Sequence, residues 1–210
     1  MVAAVDPDVR ADENDVLDEW EPDPVGFVQR YLGDDTWSKQ ERVLEAVRDH
    51  DEIAVKSCHG AGKSYTAARA ALYFLMTRQP AVVITTAPTD KQVRGILWKE
   101  IRVAHGRSRR PLPGKAFQQK LVLDDDWWAW GFTAPDRDPG RFQGYHESNV
   151  LVIVDEAAEV TEEIYTAIDG VLSSEGAKLL MIGNPTELNN RFEESFHDDD
   201  PTHTIEISAF

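Results

Sequence analysis

The sequence is poor in cysteine, in long apolar runs and in basic residues, and each shortage argues against a class of protein. It contains a single cysteine, Cys58, so no disulfide can form within the chain. No apolar run approaches the roughly 20 residues that a membrane-spanning helix needs. The N-terminal segment MVAAVDPDVRADENDVLDEW is acidic and lacks the basic flank and apolar stretch of a signal peptide. We therefore expect a cytoplasmic protein that is not part of a membrane.

Basic residues are also scarce. The chain has 22 Lys and Arg against 38 Asp and Glu, which gives a formal net charge of -16. Such a charge opposes general attraction to the phosphates of nucleic acids. A local basic segment such as GRSRRPLPGK, residues 106–115, can still contact DNA, or it can be a solvated loop. The composition leaves both alternatives open.

The order of apolar segments indicates the fold class. Residues 1–23 are rich in Asp, Glu and Pro with few apolar anchors, which predicts a mobile acidic arm. From residue 24 to residue 210, short apolar runs alternate with segments of helical periodicity. The predicted strands are EIAVKS, AVVITTAP, NVLVIVDEA, AKLLMIGNP and THTIEISAF, with a hairpin formed by KLVL and WWAWGFTA. This pattern predicts one α/β domain with a mostly parallel central sheet and helices on both faces.

The segment KSCHGAGKS, residues 56–64, resembles a phosphate-binding loop (P-loop) of the pattern G-x-x-x-x-G-K-[ST], with a serine at its first position. A predicted strand precedes it and a predicted helix follows it, as that motif requires. The glycines allow tight backbone curvature near phosphates, a lysine there binds the β- and γ-phosphates, and a serine hydroxyl binds Mg²⁺. The predicted nucleotide-binding residues are Ser57, Cys58, His59, Gly60, Ala61, Gly62, Lys63, Ser64 and Tyr65, with Ser64 also a Mg²⁺ ligand.

Two acids follow the strand LVIV about 90 residues after the P-loop. Asp155 is predicted to hold Mg²⁺ through water, and Glu156 to activate the attacking water as a general base. Two solvated carboxylates at a strand end are the alternative for an acidic chain. The combination with the P-loop favours a Mg²⁺-dependent enzyme that hydrolyses its nucleotide over one that only senses it.

A third polar position follows the next strand, in LLMIGNPTE. Asn184 is predicted to contact the γ-phosphate and to report its loss, with Thr186 as a second candidate; a simple Asn-Pro turn is the alternative. The sequence contains no Asn-Lys-x-Asp motif of the kind that reads guanine in G proteins. ATP is therefore the favoured nucleotide.

Five segments, in this order and at similar spacings, resemble the ATPase domain of tailed-virus large terminases. They are TWSKQERVLEAV, KSCHGAGKS, ITTAPTDKQVRGILWKEIR, RFQGYHESNVLVIVDEAAEV and LMIGNPTE. The resemblance implies a P-loop NTPase of the ASCE (RecA-like) type that packages double-stranded DNA into a procapsid. It also implies a portal protein and a small terminase subunit as partners. The subunit would be a monomer in isolation and a homo-oligomeric ring on the portal, in the host cytoplasm and transiently at the portal vertex.

The resemblance also implies individual roles. Gln40 corresponds to an adenine-reading glutamine, and Asn184 to the residue that couples hydrolysis to movement. Arg141 is the candidate for an arginine that reaches into the neighbouring subunit's site, with Arg137 as the second candidate. The chain departs from the family at His59, where many members have an arginine. A surface helix residue and a surface loop arginine are the alternatives for Gln40 and Arg141.

Two rival interpretations remain from the sequence. A helicase-like ATPase shares the glutamine, the P-loop and the acid pair but needs a second RecA-like lobe. A non-hydrolysing ATP-dependent assembly module is consistent with the departures at Ser57 and His59. Large terminases also carry a metal-dependent nuclease domain, and nothing follows IEISAF in this sequence. We therefore expect the motor domain alone, without DNA cleavage.

Overall fold

One mixed sheet runs through the middle of the protein. The computed structural model describes residues 20–133, 148–174, 176–184 and 190–208. The strands in these residues are β1 (Glu52–Ser57), β2 (Val82–Ala87), β3 (Lys115–Ala116), β4 (Lys120–Asp124), β5 (Trp127–Thr133), β6 (Val150–Asp155), β7 (Lys178–Gly183) and β8 (His203–Ile207). Their order is β3-β4-β5-β2-β6-β7-β1-β8. The last six strands of this order, β5, β2, β6, β7, β1 and β8, are parallel to one another. At the other edge of the sheet, β4 pairs antiparallel with both β3 and β5.

Helices cover both faces of the sheet. They are α1 (an α-helical turn Pro24–Gly26 continued by a π-helical segment Phe27–Leu32), α2 (Ser38–Asp49), α3 (Lys63–Met76), α4 (a π-helical segment Lys91–Leu97 continued by an α-helix Trp98–Arg107), α5 (Glu162–Leu172) and α6 (Arg191–Glu194). The helices α1 to α4 pack on one face, and α5 and α6 pack on the other. The predicted α/β architecture is confirmed.

The sheet separates two apolar cores, which explains why its central strands are apolar throughout. In β6, Leu151 and Ile153 belong to one core, whereas Val150, Val152 and Val154 belong to the other. Successive side chains of a strand point to opposite faces, so a strand covered on both faces must be apolar at every position.

Strand β7 lies between β1 and β6 and pairs with both. Its Ile182 is the partner of Val55 in β1 and of Asp155 in β6. The carboxyl ends of the three parallel strands therefore meet at one edge of the sheet, which is where ligands bind in open α/β sheets. This strand order, with an additional strand between the P-loop strand and the acid-bearing strand, is that of the predicted ASCE type.

Serine and threonine are preferred helix N-caps, so TWSKQERVLEAV predicts Thr36 or Ser38 at that position, but neither occupies it in α2. The capping position is Trp37, whose backbone N–H donates to Gln40 Oε1 at 3.3 Å. The Thr36 hydroxyl instead donates to Glu41 Oε1 at 3.1 Å. The first turn of α2 is thus held by side chains of its own residues.

Packing begins earlier than the predicted start of the domain at residue 24. Trp20 is 4% exposed and meets Tyr31 edge to face, with ring centroids 6.3 Å apart. The Glu21 carbonyl accepts a hydrogen bond from the Tyr73 hydroxyl at 2.5 Å. Residues 1–19, most of the predicted acidic arm, lie outside the described residues.

The tryptophans of β5 pack the sheet, as their alternation predicts. Trp127 is buried and donates from Nε1 to the Leu75 carbonyl at 2.6 Å. Trp128 and Trp130 are half-buried and pack against the core on the opposite face. None of the three therefore forms part of an exposed row of aromatic rings.

Glycine is required at position 131 of β5. A Cβ there would lie 1.9 Å from Trp98 Nε1, which is fully buried and donates to Thr85 Oγ1 at 2.8 Å. We expect Gly131→Ala to lower the free energy of unfolding by about 1–3 kcal/mol through overpacking, as measured by urea denaturation. The matched control is Gly170→Ala on the exposed face of α5, where a Cβ meets nothing within 4 Å. That change should raise stability by up to about 1 kcal/mol, and equal effects of the two substitutions would contradict this account.

Candidate active site

The loop after β1 has the conformation that a phosphate-binding loop requires. Gly60 and Gly62 adopt left-handed backbone angles, with φ of 78° and 80°, which glycine allows without steric cost. A Cβ at position 62 would also approach Gln40 Nε2 to 2.6 Å. Helix α3 begins immediately afterwards, at Lys63. The predicted strand–loop–helix arrangement is therefore confirmed.

The two residues predicted to hold Mg²⁺ are in direct contact. The Ser64 hydroxyl donates to Asp155 Oδ2 at 2.8 Å, and Asp155 Oδ1 accepts from the backbone N–H of Glu156 at 3.1 Å. Among the described residues, no group of three His, Cys, Asp or Glu is arranged to hold a metal ion. Mg²⁺ needs no such group when one carboxylate, phosphate oxygens and water complete its coordination. The donor pair fits Mg²⁺ in that mode.

Asp155 is buried, with 2% of its surface exposed. Burial raises the pKa of its carboxyl from 3.8 to about 6, and the Glu156 carboxylate adds to the increase. The hydrogen bond from Ser64 acts in the opposite direction, as does the Lys63 ammonium. At neutral pH the groups around this carboxylate thus compensate its charge only in part.

Glu156 occupies a strained backbone position. It is the one non-glycine residue with positive φ among the described residues, at φ 52° and ψ 47°. The turn that it begins passes close over Gly183, where a Cβ would lie 3.0 Å from the backbone nitrogen of Ala157. The Tyr165 hydroxyl holds the same turn by donating to the Ala157 carbonyl at 2.9 Å, and burial raises the pKa of Tyr165. Sequence reasoning identified neither Gly183 nor Tyr165 as support for the site.

Asn184 connects two P-loop residues. Lys63 Nζ donates to Asn184 Oδ1 at 2.8 Å and lies 3.8 Å from Glu156 Oε1. A lysine ammonium only donates hydrogen bonds, so the Asn184 amide atom that it contacts is the oxygen. The amide nitrogen then faces the His59 ring, 3.1 Å from Nδ1 and 3.3 Å from Nε2. An amide nitrogen only donates, so the His59 ring is the acceptor in this contact.

This geometry explains why the departure at position 59 matters. An arginine has five donors and no acceptor, so it could not accept from the Asn184 amide. A neutral histidine can. His59, Asn184 and Lys63 therefore form one hydrogen-bonded chain across the loop, which the sequence motif did not predict.

A cavity of about 460 Å³ opens beside the P-loop. Its lining residues are Trp37, Lys39, Cys58, His59, Gly60, Ala61, Ile207 and Ser208. Gln40 is 7% exposed, lies behind Gly62 and is not part of the lining. Sequence reasoning missed Trp37 and Lys39. The exposure of the Trp37 side chain, 45%, becomes visible only in the folded chain.

Two predicted binding residues, Ser57 and Tyr65, are not part of the cavity lining. The Tyr65 hydroxyl donates to the Asp35 carbonyl at 2.8 Å, and the Arg69 guanidinium lies 3.4 Å from the centre of its ring. Ser57 is 2% exposed at the end of β1. Cys58 is half-buried, and its backbone N–H donates to the Ile207 carbonyl at 3.2 Å, which ties the loop to β8.

Three predicted residues cannot be placed. Arg141, Arg137 and Thr186 lie outside the described residues.

The chain is similar to large terminases of phages in both sequence and fold. No protein-family model matches the chain. A probable terminase large subunit of Enterobacteria phage P7 is 28% identical over 173 residues, which cover 77% of this chain and 34% of that protein. The large terminase ATPase domain of Thermus phage P74-26 matches with a TM-score of 0.63 and 18% identity, over 88% of this chain and 85% of that one. The chain has the fold of a large terminase ATPase domain.

A second solved structure supports the same fold. The large terminase of the thermophilic bacteriophage D6E matches with a TM-score of 0.67 and 19% identity, over 82% of this chain and 46% of that one. The resemblance seen in the sequence is thereby confirmed. The chain spans about a third of the length of the curated phage P7 relative. Within the described residues, no helix combines the length and the apolar character needed to cross a membrane.

The buried carboxyl of Asp155 predicts a pH-dependent stability. Its pKa is about 6 in the folded chain against an ordinary value of 3.8, so the folded state binds this proton more tightly than the unfolded state does. Stability should therefore fall as pH rises from about 4 to 6 and level off above. We expect Asp155→Asn to remove this loss, with a gain over wild type that grows through that window to about 3 kcal/mol.

Urea denaturation from pH 4 to pH 8 in EDTA measures this gain. Asp125→Asn, on the exposed hairpin turn between β4 and β5, serves as the matched control for loss of a surface carboxylate. A stability difference between Asp155→Asn and wild type that does not change with pH would contradict the prediction.

Proposed function

We propose that the chain is the ATP-hydrolysing motor domain of a large terminase, which drives double-stranded DNA into a procapsid. The observation that carries this proposal is that the carboxyl ends of three neighbouring strands lie at one edge of the sheet. Strands β1, β6 and β7 bring the P-loop lysine, the Ser64–Asp155 pair, Glu156 and Asn184 to one edge of the sheet. The fold and the curated relative support the assignment to DNA packaging.

The phosphates of ATP fit the P-loop. Its backbone N–H groups and the N-terminal end of α3 offer donors and a positive partial charge. Lys63 adds an ammonium group for the β- and γ-phosphates. Ser64 and Asp155 would hold Mg²⁺, which neutralises charge on the phosphate oxygens when it is bound. The D6E large terminase has been solved with ADP and with ATP-gamma-S, which supports an adenine nucleotide as the ligand.

The adenosine part of ATP fits the cavity beside the loop. Its volume of about 460 Å³ and its position against Gly60 and Ala61 suit a ligand whose phosphates lie in the P-loop. Trp37 offers an exposed ring for stacking on the base. Gln40 in α2 is the proposed adenine-reading residue; it lies behind Gly62 and outside the cavity lining, and its Oε1 accepts from the Trp37 N–H.

Glu156 is the proposed general base. Its carboxylate is partly exposed and lies 3.8 Å from Lys63, at the side of the site where the γ-phosphate would end. A carboxylate there can orient a water and accept its proton as the water attacks phosphorus. We propose that Arg141, or Arg137 in its place, completes the site of a neighbouring subunit in a homo-oligomeric ring. That ring would assemble on the portal protein with the small terminase subunit, in the host cytoplasm.

Asn184 is the proposed sensor of nucleotide. Its amide oxygen accepts a hydrogen bond from the Lys63 ammonium, which the phosphates of ATP would also contact. Arrival of the phosphates would release that oxygen and leave His59 as the remaining partner of the amide. Occupancy of the site would thereby change the position of the residue at the end of β7.

The hydrolytic role of Glu156 has a direct test. Glu156→Gln removes the proton acceptor and should lower the steady-state rate of Mg²⁺-ATP hydrolysis at least about 100-fold while nucleotide still binds. The matched control is Glu159→Gln, three residues further on and exposed, which should hydrolyse ATP as wild type does. If the site is shared between subunits, the wild-type rate per subunit should rise with protein concentration, and Arg141→Ala should abolish that rise.

The same assay separates the rival functions. ATP binding with a wild-type rate that stays at the Glu156→Gln background, at every protein concentration, would contradict the motor proposal. That result would favour a non-hydrolysing assembly module. Hydrolysis stimulated by single-stranded and not by double-stranded DNA would favour a helicase-like ATPase.

The Lys63–Asn184–His59 chain predicts changes in affinity for ADP, which lacks the γ-phosphate. Asn184→Ala frees the Lys63 ammonium and should lower the Kd for ADP by roughly tenfold, because a hydrogen bond to a charged group no longer opposes binding. His59→Leu, which removes the acceptor for the amide, should shift the Kd in the same direction. His59→Gln retains an acceptor and should leave the Kd near that of wild type. Calorimetric titration measures all four proteins, and identical values for His59→Leu and His59→Gln would contradict a role through Asn184.

A further inference from the structure

The backbone conformation of Glu156 needs support from outside its own segment. Glu156 is left-handed, with φ 52° and ψ 47°, and the residues after it form a single 3₁₀ turn, Ala157–Glu159. A residue other than glycine keeps such a conformation only where surrounding contacts enforce it. The direction of the Glu156 carboxylate therefore depends on what holds this turn.

Two side chains from different parts of the chain donate to successive carbonyls of the turn. The Tyr165 hydroxyl, in α5, donates to the Ala157 carbonyl at 2.9 Å. Asn190 Nδ2, immediately before α6, donates to the Ala158 carbonyl at 3.1 Å. The turn is thus bonded both to α5 and to the start of α6.

Asn190 uses both ends of its amide. Its Oδ1 accepts from the backbone N–H of Glu193 at 3.0 Å and so caps α6, while its Nδ2 makes the contact with the turn. A backbone N–H only donates and a carbonyl only accepts, so position 190 needs a short side chain that has both a donor and an acceptor. Serine can also cap a helix, but its one hydroxyl replaces two separate polar atoms. Asparagine therefore joins α6 to the turn through one side chain.

The residue after Asn190 anchors α6 to the rest of the domain. The Arg191 guanidinium pairs with Asp169 in α5, and its Nη2 lies 3.4 Å from Glu52 Oε2 at the start of β1. The same guanidinium lies 5.5 Å from the centre of the Tyr165 ring. This arginine thus anchors both side chains that donate to the turn, one by contact and the other through the adjoining backbone.

We propose that Asn190 is a positioning residue for ATP hydrolysis, which acts by holding Glu156 in its left-handed conformation. The Asn190 amide bonds to backbone, so it acts through the turn and not on the substrate. If the turn shifts, the Glu156 carboxylate, which lies 3.8 Å from Lys63 Nζ, moves away from the water that it activates. A misplacement of about 1 Å can lower a rate by roughly 100-fold. This inference rests on the proposed function for the role of Glu156.

Hydrogen exchange of backbone amides, followed by NMR, tests the contact without any substrate. The test variant is Asn190→Ser, which keeps a cap for α6 but loses the donor to the turn. The amides of Glu159 and Val160, which donate within the turn at 3.0 and 3.3 Å, should exchange roughly tenfold faster than in wild type. The amide of Ser195, which donates to the Arg191 carbonyl in α6 at 3.0 Å, should exchange as in wild type.

Steady-state hydrolysis tests the consequence for the reaction. Asn190→Ser should lower kcat by roughly tenfold while the KM for ATP and the Kd for ADP stay within about twofold of wild type, since the phosphate contacts are retained. The matched control is Ser195→Ala, which removes a buried hydroxyl that donates to the Arg191 carbonyl at 2.9 Å in the same helix. This control should keep the wild-type kcat. In a Glu156→Gln background, adding Asn190→Ser should lower the rate by less than about twofold, because the positioned carboxylate is already gone.

Exchange at Glu159 and Val160 that is the same in the test variant and wild type would overturn the proposal, as would faster exchange with an unchanged kcat. An equal fall of kcat in Ser195→Ala, or a further tenfold fall in the Glu156→Gln background, would indicate a general structural role and would also overturn it. Absence of hydrolysis by the wild-type chain would count against the proposed function. The exchange rates would then decide by themselves whether Asn190 holds the turn.

Discussion

Strand β7 hydrogen-bonds to β1 on one side and to β6 on the other, and the arrangement of the site depends on this placement. It sets the loop that ends in Lys63, the acid pair at the end of β6 and Asn184 side by side. Gly183, the last residue of β7, lets the turn after Glu156 pass at close range. A bulkier residue there would push the turn outward, because its Cβ would meet backbone atoms. The sheet therefore determines both which residues meet and how closely.

The charged groups of the site compensate one another only in part. Asp155 is buried with a pKa raised to about 6, and Lys63 is shared between the Asn184 amide and the Glu156 carboxylate. Mg²⁺ and phosphates supply the opposite charges that this arrangement lacks. Strain and incomplete pairing of this kind are common at sites that bind a charged ligand. Contacts within the protein thus hold these groups in place.

The sequence by itself determined the α/β class, the strand–loop–helix around residues 57–64 and the position of Asp155 and Glu156 at a strand end, because local periodicity and short motifs encode them. Only the tertiary structure decided that Asn184 contacts Lys63 and His59, which are 121 and 125 residues away from it along the chain. It also decided that Trp37 and Lys39 line the cavity and that Trp20 belongs to the core. Contacts of this kind depend on strand order and on the packing of helices against the sheet, and no local pattern in the sequence records either.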